Sequence, residues 1–432
     1  MSNKDKAPLF PKLRFPGFRD AREWERAVLG ELSEVVRGGS PRPIDGFLTT
    51  AVDGLNWLKI GDVDKAAKYV THTAEKVRTE ALSKTRVVSP GDLILSNSMS
   101  FGRPYILQIT TCIHDGWIAI TRIARKVERD FLYYFISAPN SQSYFVDNAA
   151  GSGVQNLNAD IIKALPVCYP CSPEQQKIAD CLSSLDALIA AQARKVDALK
   201  THKKGLMQQL FPIEGETQPR LRFPEFRDAG KWKRMLISDL RPFVTSGSRG
   251  WAAFYSDQGD LFVRMTNLWR DSIYLDLSDS KFVQLPAGAN EGVRTQLKEH
   301  DVLISITADI GIIGYVDECV PSPAYINQHI ALVRFDSNKL SGKYVAYFLA
   351  SEKSQRLFRI STDTGTKAGM SLIGIQKIEL MLPSFSEQKR IVDCLTSLDD
   401  LITFQTQALE TLKTHKKGLM QQLFPLAEEV EG

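Results

Sequence analysis

No run of about 18 apolar residues occurs anywhere in the 432 residues, so no membrane-spanning helix is expected. Cysteine is scarce: six in the whole chain, which argues against a disulfide framework. The opening MSNKDKAPLFPKLRFPGFRD is polar and lacks the apolar core of a secretory signal, and the expected compartment is the cytoplasm. No GxxxxGK[ST] loop is present, so a nucleotide-driven motor is not expected here. Charge of one sign is not in large excess either: 54 Lys and Arg stand against 50 Asp and Glu, a net +4, so any basic surface must be local. What remains is an ordinary globular composition, 43% hydrophobic and 24% charged, long enough for two or more domains.

The chain does contain a large internal repeat. LRFPGFRDAREWER (Leu13–Arg26) returns as LRFPEFRDAGKWKR (Leu221–Arg234), 208 positions later. SPEQQKIADCLSSLDALIAAQARKVDALKTHKKGLMQQLFP (Ser172–Pro212) returns as FSEQKRIVDCLTSLDDLITFQTQALETLKTHKKGLMQQLFP (Phe385–Pro425), 213 positions later. The last twelve residues of these blocks, THKKGLMQQLFP, are unchanged. Tandem duplication is the simplest account, with IEGETQPR (Ile213–Arg220) as a polar joint. Between the matching ends the halves have diverged. GDLILS (Gly91–Ser96) answers HDVLIS (His300–Ser305), and YYFISAPNSQSYF (Tyr133–Phe145) answers AYFLASEKSQRLF (Ala346–Phe358). GSGVQNLNADIIKALPV (Gly151–Val167) answers TGTKAGMSLIGIQKIEL (Thr364–Leu380). One frame carries two different surfaces.

Short β-branched runs punctuated by Gly, Pro and Asp read as strands: LNWLKIGDV, DLILSNS, WIAITRI, DVLISIT and HIALVRF. FLYYFISAPNSQSYF reads as one amphipathic helix, which makes each half a mixed α+β globule. The duplicated tails read as long helices. Ser172, Pro173 and Gln175 suit the N-cap, N1 and N3 positions, and Ser384 with Glu387 has capping-box spacing. Apolar positions then step by four and three through Ile178, Leu182, Leu185, Ile189, Gln192, Val196, Leu199, Lys203, Leu206 and Leu210. The second copy gives Ile391, Leu395, Leu398, Ile402, Gln405, Leu409, Leu412, Lys416, Leu419 and Leu423. A heptad seam about 50 Å long results. The expected fold is therefore two α+β domains related by a pseudo-two-fold axis and separated by a long antiparallel two-helix coiled coil. Gln192 and Gln405 would then face one another within about 10 Å and fix the register.

The LRFPGF and LRFPEF openings, the WLKIGDV segment (Trp57–Val63) and the KKGLMQQLFP endings resemble the specificity subunit of type I restriction–modification systems, over nearly the whole chain. That resemblance implies residues 1–170 as a first target-recognition domain and 171–212 as a spacer helix. Residues 213–383 would form the second recognition domain, 384–425 the second spacer helix, and 426–432 a tail. It implies that each domain reads one half of a split double-stranded DNA site while the helices set the gap and dock two methyltransferase subunits. S-adenosylmethionine would sit on those partners, and restriction subunits would join the full complex. The chain itself would not be an enzyme. In keeping with this, the sequence has no Asn-Pro-Pro-Tyr or Asp-Pro-Pro-Tyr loop and no convincing Gly-rich cofactor loop. Glu387 and Lys389 form a nuclease-like Glu-x-Lys, but helix capping explains it better; Cys168 and Cys171 lack the second pair that a structural zinc needs. No metal is expected.

Base readout needs Arg, Asn, Gln, Ser or Thr on exposed loops. The candidate DNA contacts in the first half are Arg37, Ser40, Arg42, Asn97, Ser98, Arg103, Gln155 and Asn156. In the second half they are Ser246, Ser248, Arg249, Asn267, Arg270, Thr307 and Lys367. Lys203, Lys204, Lys416 and Lys417 offer charge toward a partner or DNA, and two identical tails suggest two copies of one partner. The competing readings are a coiled-coil scaffold whose globules bind proteins, and a self-contained methyltransferase or restriction enzyme. Arg103→Ala or Arg249→Ala should weaken specific binding, and loss of a base contact should cost about 1–3 kcal/mol at one position in gel shifts on variant duplexes. A Gln192→Cys/Gln405→Cys chain should form an internal cross-link, mapped by peptide mass spectrometry; failure to link removes the expected register.

Overall fold

The computed structural model describes residues 9–97, 102–149, 157–213, 215–286, 288, 290–362 and 369–425. It resolves into two compact units, Met1–Ala193 with Gln407–Gly432, and Arg194–Thr406. These units do not follow the order of domains along the chain, because each long helix contributes to both.

In the first unit the main sheet has five strands in the order Glu34–Arg37, Trp117–Thr121, Leu93–Ser96, Pro104–Leu107 and Tyr69–Val70. A second five-stranded sheet contains Leu55–Leu58 and Thr111–Ile113 at its centre. The second unit repeats the plan with a four-stranded sheet: Phe243–Ser246, Ile330–Arg334, Val302–Ser305 and Ile313–Tyr315. All five apolar runs expected to be strands contain one. Where both faces are covered, as at Leu93–Ser96 and Val302–Ser305, every residue is buried and period-two alternation disappears.

One expectation fails. FLYYFISAPNSQSYF is not a single helix but two, Arg129–Ser137 and Pro139–Asn148. Proline disfavours the helical region for the residue before it, and Ala138 is extended, with ψ 148°. The second unit breaks at the same place without proline: Ser351 is extended between Gly342–Ala350 and Glu352–Thr362. The Ser351–Ser354 turn and the Ser354 hydroxyl bonded to the Phe348 carbonyl hold that corner.

The tails form two helices of 39 residues each, Ser172–Leu210 and Phe385–Leu423. No position of either seam is exposed. Gln405 is buried and Gln192 half-buried on the inward faces of their helices. Within the first unit, Ile178–Leu182 of the first helix shares a core with Met420–Phe424 of the second, while Asp186 meets Lys416. The two segments therefore run antiparallel. The second unit pairs the rear of the first helix with the front of the second in the same way: Leu210 and Phe211 pack with Ile391 and Leu395, and Lys203 meets Asp399.

So each tail completes the core of the globular domain that it does not directly follow in sequence. Phe424 packs edge-on against Phe131 and Phe135, both at 5.6 Å. Phe211 does the same against Tyr344 at 5.8 Å and Phe348 at 5.7 Å. Above each phenylalanine a lysine completes a three-residue link. Lys416 pairs with Asp186, which accepts the Tyr134 hydroxyl at 2.7 Å; Lys203 pairs with Asp399, which accepts the Tyr347 hydroxyl at 2.6 Å. Burial pushes both tyrosine hydroxyls well above their usual range, and the aspartates add to it, so both remain donors. Lys203 and Lys416 are thus internal ion-pair partners rather than free charges for DNA or a partner. Lys204 and Lys417 stay exposed.

The LRFP openings have an equally internal role. Arg14 forks onto Glu174 and also donates to the Ala21 and Arg22 carbonyls. Arg222 repeats this with Glu387, Ala229 and Gly230. Glu387 also accepts from the Trp232 indole, which accounts for the nuclease-like Glu-x-Lys. The expected capping is only half right. Ser384 accepts the Glu387 N–H, but Glu387 does not reach back, and the Gln175 amide is spent on Lys126, Pro170 and Glu128. Cys168 is buried and Cys171 exposed, and no cluster of metal-ligating side chains occurs among the described residues.

Phe424→Ala should destabilise the first unit and Phe211→Ala the second, each by about 3–5 kcal/mol. Hydrogen exchange read by mass spectrometry checks this: Phe424→Ala must expose amides around 131–135, and exposure around 344–348 instead would contradict the exchange of tails.

Candidate nucleic-acid interface

In each unit some of the sequence-named residues lie at one end of the main sheet: Arg37 and Asn97 in the first, Ser246 and Thr307 in the second. In the first, strand Glu34–Arg37 runs out into RGGSPRP, which passes over the turn His114–Gly116. Glycine is required for that passage. A Cβ on Gly38 would stand 2.2 Å from the His114 carbonyl oxygen, and one on Gly39 would stand 2.6 Å from that of Lys84. Gly38 and Gly39 donate instead to the Trp117 and Ile113 carbonyls. In the second unit Gly247 occupies the equivalent place, where a Cβ would lie 2.3 Å from the backbone of Asn327.

Four of the candidate residues of the first half converge on Asp115, which sequence reasoning missed. Arg37 Nε donates to its carbonyl at 3.0 Å and Asn97 Nδ2 to the same oxygen at 2.9 Å. Ser40 Oγ donates to Oδ1 at 2.8 Å, and Arg42 reaches Oδ2 at 3.3 Å. Burial opposes ionisation of Asp115, but the Ser40 hydroxyl, His114 and Arg42 together hold its carboxyl below the usual carboxylate range. Arg37 and Arg42 are exposed, whereas Asn97 is buried and braces the turn. The signal was present: HDG between two apolar runs is a tight-turn signature.

Arg103 lies elsewhere. It lines a cleft of about 710 Å³ with Lys65, Tyr133, Lys413, Lys416 and Lys417. Ser98, Gln155, Asn156 and Lys367 fall outside the described residues.

The same strand end in the second unit carries different chemistry. Arg37 stands opposite Ile118 in the first sheet, and Ser246 stands opposite Ala331 in the second. Arg294 binds Thr245 Oγ1 at 2.6 Å, the Ser246 carbonyl at 2.9 Å and Ser248 Oγ at 2.7 Å. Thr307 bonds the His329 ring, whose other nitrogen meets Gln328. Arg249 is exposed. Of two further candidates, one is buried and the other is exposed but paired. Asn267 is 1% exposed, its side chain bonded to the Arg264 amide and the Asp276 carbonyl. Arg270 is held by Asp309, Gln355 and the Ile310 carbonyl.

Two equivalent sites of unlike polarity fit the duplicated pattern of a known family. The model of the type I restriction modification DNA specificity domain matches residues 21–201 and 285–414. The chain belongs to this type I specificity family. Among family relatives, the MjaVIII specificity subunit of Methanocaldococcus jannaschii is 23% identical, over 94% of this chain and 93% of that protein. The putative MjaX specificity subunit of the same organism is also 23% identical, over 93% of this chain and 92% of that protein. Two solved structures share the fold. A chain from a study of complex assembly and conformational transition in a type I restriction–modification system aligns with TM-score 0.60 and 16% identity, over 93% of this chain and 97% of that one. The S subunit from M. genitalium aligns with TM-score 0.55 and 14% identity, over 96% of this chain and 99% of that one.

Proposed function

We propose that this chain is the DNA-reading, non-catalytic subunit of a type I restriction–modification complex, each unit reading one half of a bipartite site. The observation that carries this reading is the pair of strand-end sites: equivalent in backbone, unlike in side chains. The first presents Arg37 and Arg42 around Asp115, the second Ser248 and Arg249 on one loop and Gln328 with His329 on another. A scaffold for identical protein partners would gain nothing from such divergence, whereas two half-sites of different sequence require it.

The partners in this reading are double-stranded DNA, two methyltransferase subunits carrying S-adenosylmethionine, and restriction subunits in the full assembly. Docking by two like subunits uses surface common to both repeats, and Lys204 and Lys417 in the unchanged tails are exposed examples. No helix among the described residues is long and apolar enough to cross a membrane, and a DNA-reading role suits the cytoplasm.

Methylome sequencing of cells carrying this chain with its methyltransferase partner tests the proposal. The expected outcome is a split motif with methylated adenines on both strands. Binding to random duplexes with no preferred sequence, under low and moderate salt, would reject it in favour of a non-specific role.

A further inference from the structure

We propose that Asp115 is a positioning residue for specificity, fixing Arg37 so that the first unit reads a guanine in its half-site; the proposal rests on the DNA-reading role above. A carboxylate is an unexpected centre for a DNA-facing surface. Its charge repels phosphates, so it works against general affinity. Both of its carboxylate oxygens are already engaged, by Ser40 and Arg42, which favours a role in geometry over direct base contact.

Asp115 and Ser40 are joined twice: the Ser40 hydroxyl donates to Oδ1 at 2.8 Å and accepts the Asp115 N–H at 3.2 Å. That clasp fixes the turn that carries the Asp115 carbonyl. The carbonyl in turn holds Arg37 through Nε and is braced from the other side by Asn97. The approach of Gly38 to His114 sets the distance between the two segments. A guanidinium anchored through Nε keeps its two terminal amino groups for a ligand. Two parallel N–H donors match the O6 and N7 acceptors of guanine, the commonest specific arginine contact in the major groove. Fixing the side chain beforehand also reduces the conformational entropy lost on binding. The second unit lacks this device. Gln328 and His329 form its turn, and Ser246 replaces Arg37 at the strand end, so the guanine preference belongs to the first half-site alone.

The test uses the assembled complex with its methyltransferase partner and selection from randomised duplexes. Arg37→Ala and Asp115→Ala should each lower the preference for guanine at the same single position of one half-site, by about 10- to 100-fold. Asp115→Asn, which keeps the shape of the side chain, should give a smaller loss at that position. The double variant should be no worse than Arg37→Ala, because both changes remove one contact. The other half-site should be unchanged throughout. A profile left intact by both Asp115 variants, while Arg37→Ala relaxes one position, overturns the role of Asp115 and leaves the DNA reading standing. Loss spread evenly over both half-sites also overturns it, as general damage. A wild-type complex without sequence preference overturns the DNA reading itself, and this inference with it.

Discussion

The contact on which the rest depends is the insertion of each helical tail into the opposite recognition domain. Phe211 and Phe424 each enter a pocket of two aromatic rings, and a lysine two turns earlier closes onto an aspartate and a tyrosine. Breaking the buried Lys203–Asp399 pair by removing one partner costs about 3–5 kcal/mol, and the aromatic insertion contributes a similar amount. Identity of the two tails follows directly. Both meet closely matching groups: Tyr134, Asp186 and Phe135 in one unit, Tyr347, Asp399 and Phe348 in the other. The repeated stretch is thus first an internal part, and only its exposed positions are free to serve partners.

Upon this constant frame the strand ends differ. Arg14 with Glu174 and Arg222 with Glu387 hold the same corner in both units, and Gly38 and Gly247 permit the same close crossing. Just beyond, one unit has a turn carrying Asp115 with Arg37 and Arg42 around it, and the other a turn of Gln328 and His329. Stability is supplied by groups away from these strand ends. The strand-end residues can therefore change without weakening the cores.

The sequence displayed the frame plainly because a repeat and a heptad stripe are long-range regularities. The seam from Ile178 to Leu210 lies on the inward face as its spacing required, and the five apolar runs are strands. Less was visible where tertiary contacts decide. Nothing in THKKGLMQQLFP says that Lys203 answers Asp399, because that link joins residues 196 apart. Asn267 looked like an exposed reader, yet a capping role in its own turn buried it. Asp115 was overlooked because base readout directs attention to Arg, Asn, Gln, Ser and Thr, although the HDG turn marked it. Pro139 was legible as a helix break, and the apolar pattern on either side obscured it.

The exchange of tails also orders events in time. The core of the first unit includes Met420, Leu423 and Phe424, and Asn140 bonds a carbonyl 284 positions away. Ribosomes add about 5–20 residues per second, so the apolar face around Phe131 and Phe135 waits on the order of tens of seconds for its last members to be made. The second unit, drawn from 194–406, emerges entirely within that interval. The half synthesised first is the half completed last, and a ribosome that stalls before residue 424 releases a chain whose leading domain still shows an unfilled aromatic socket.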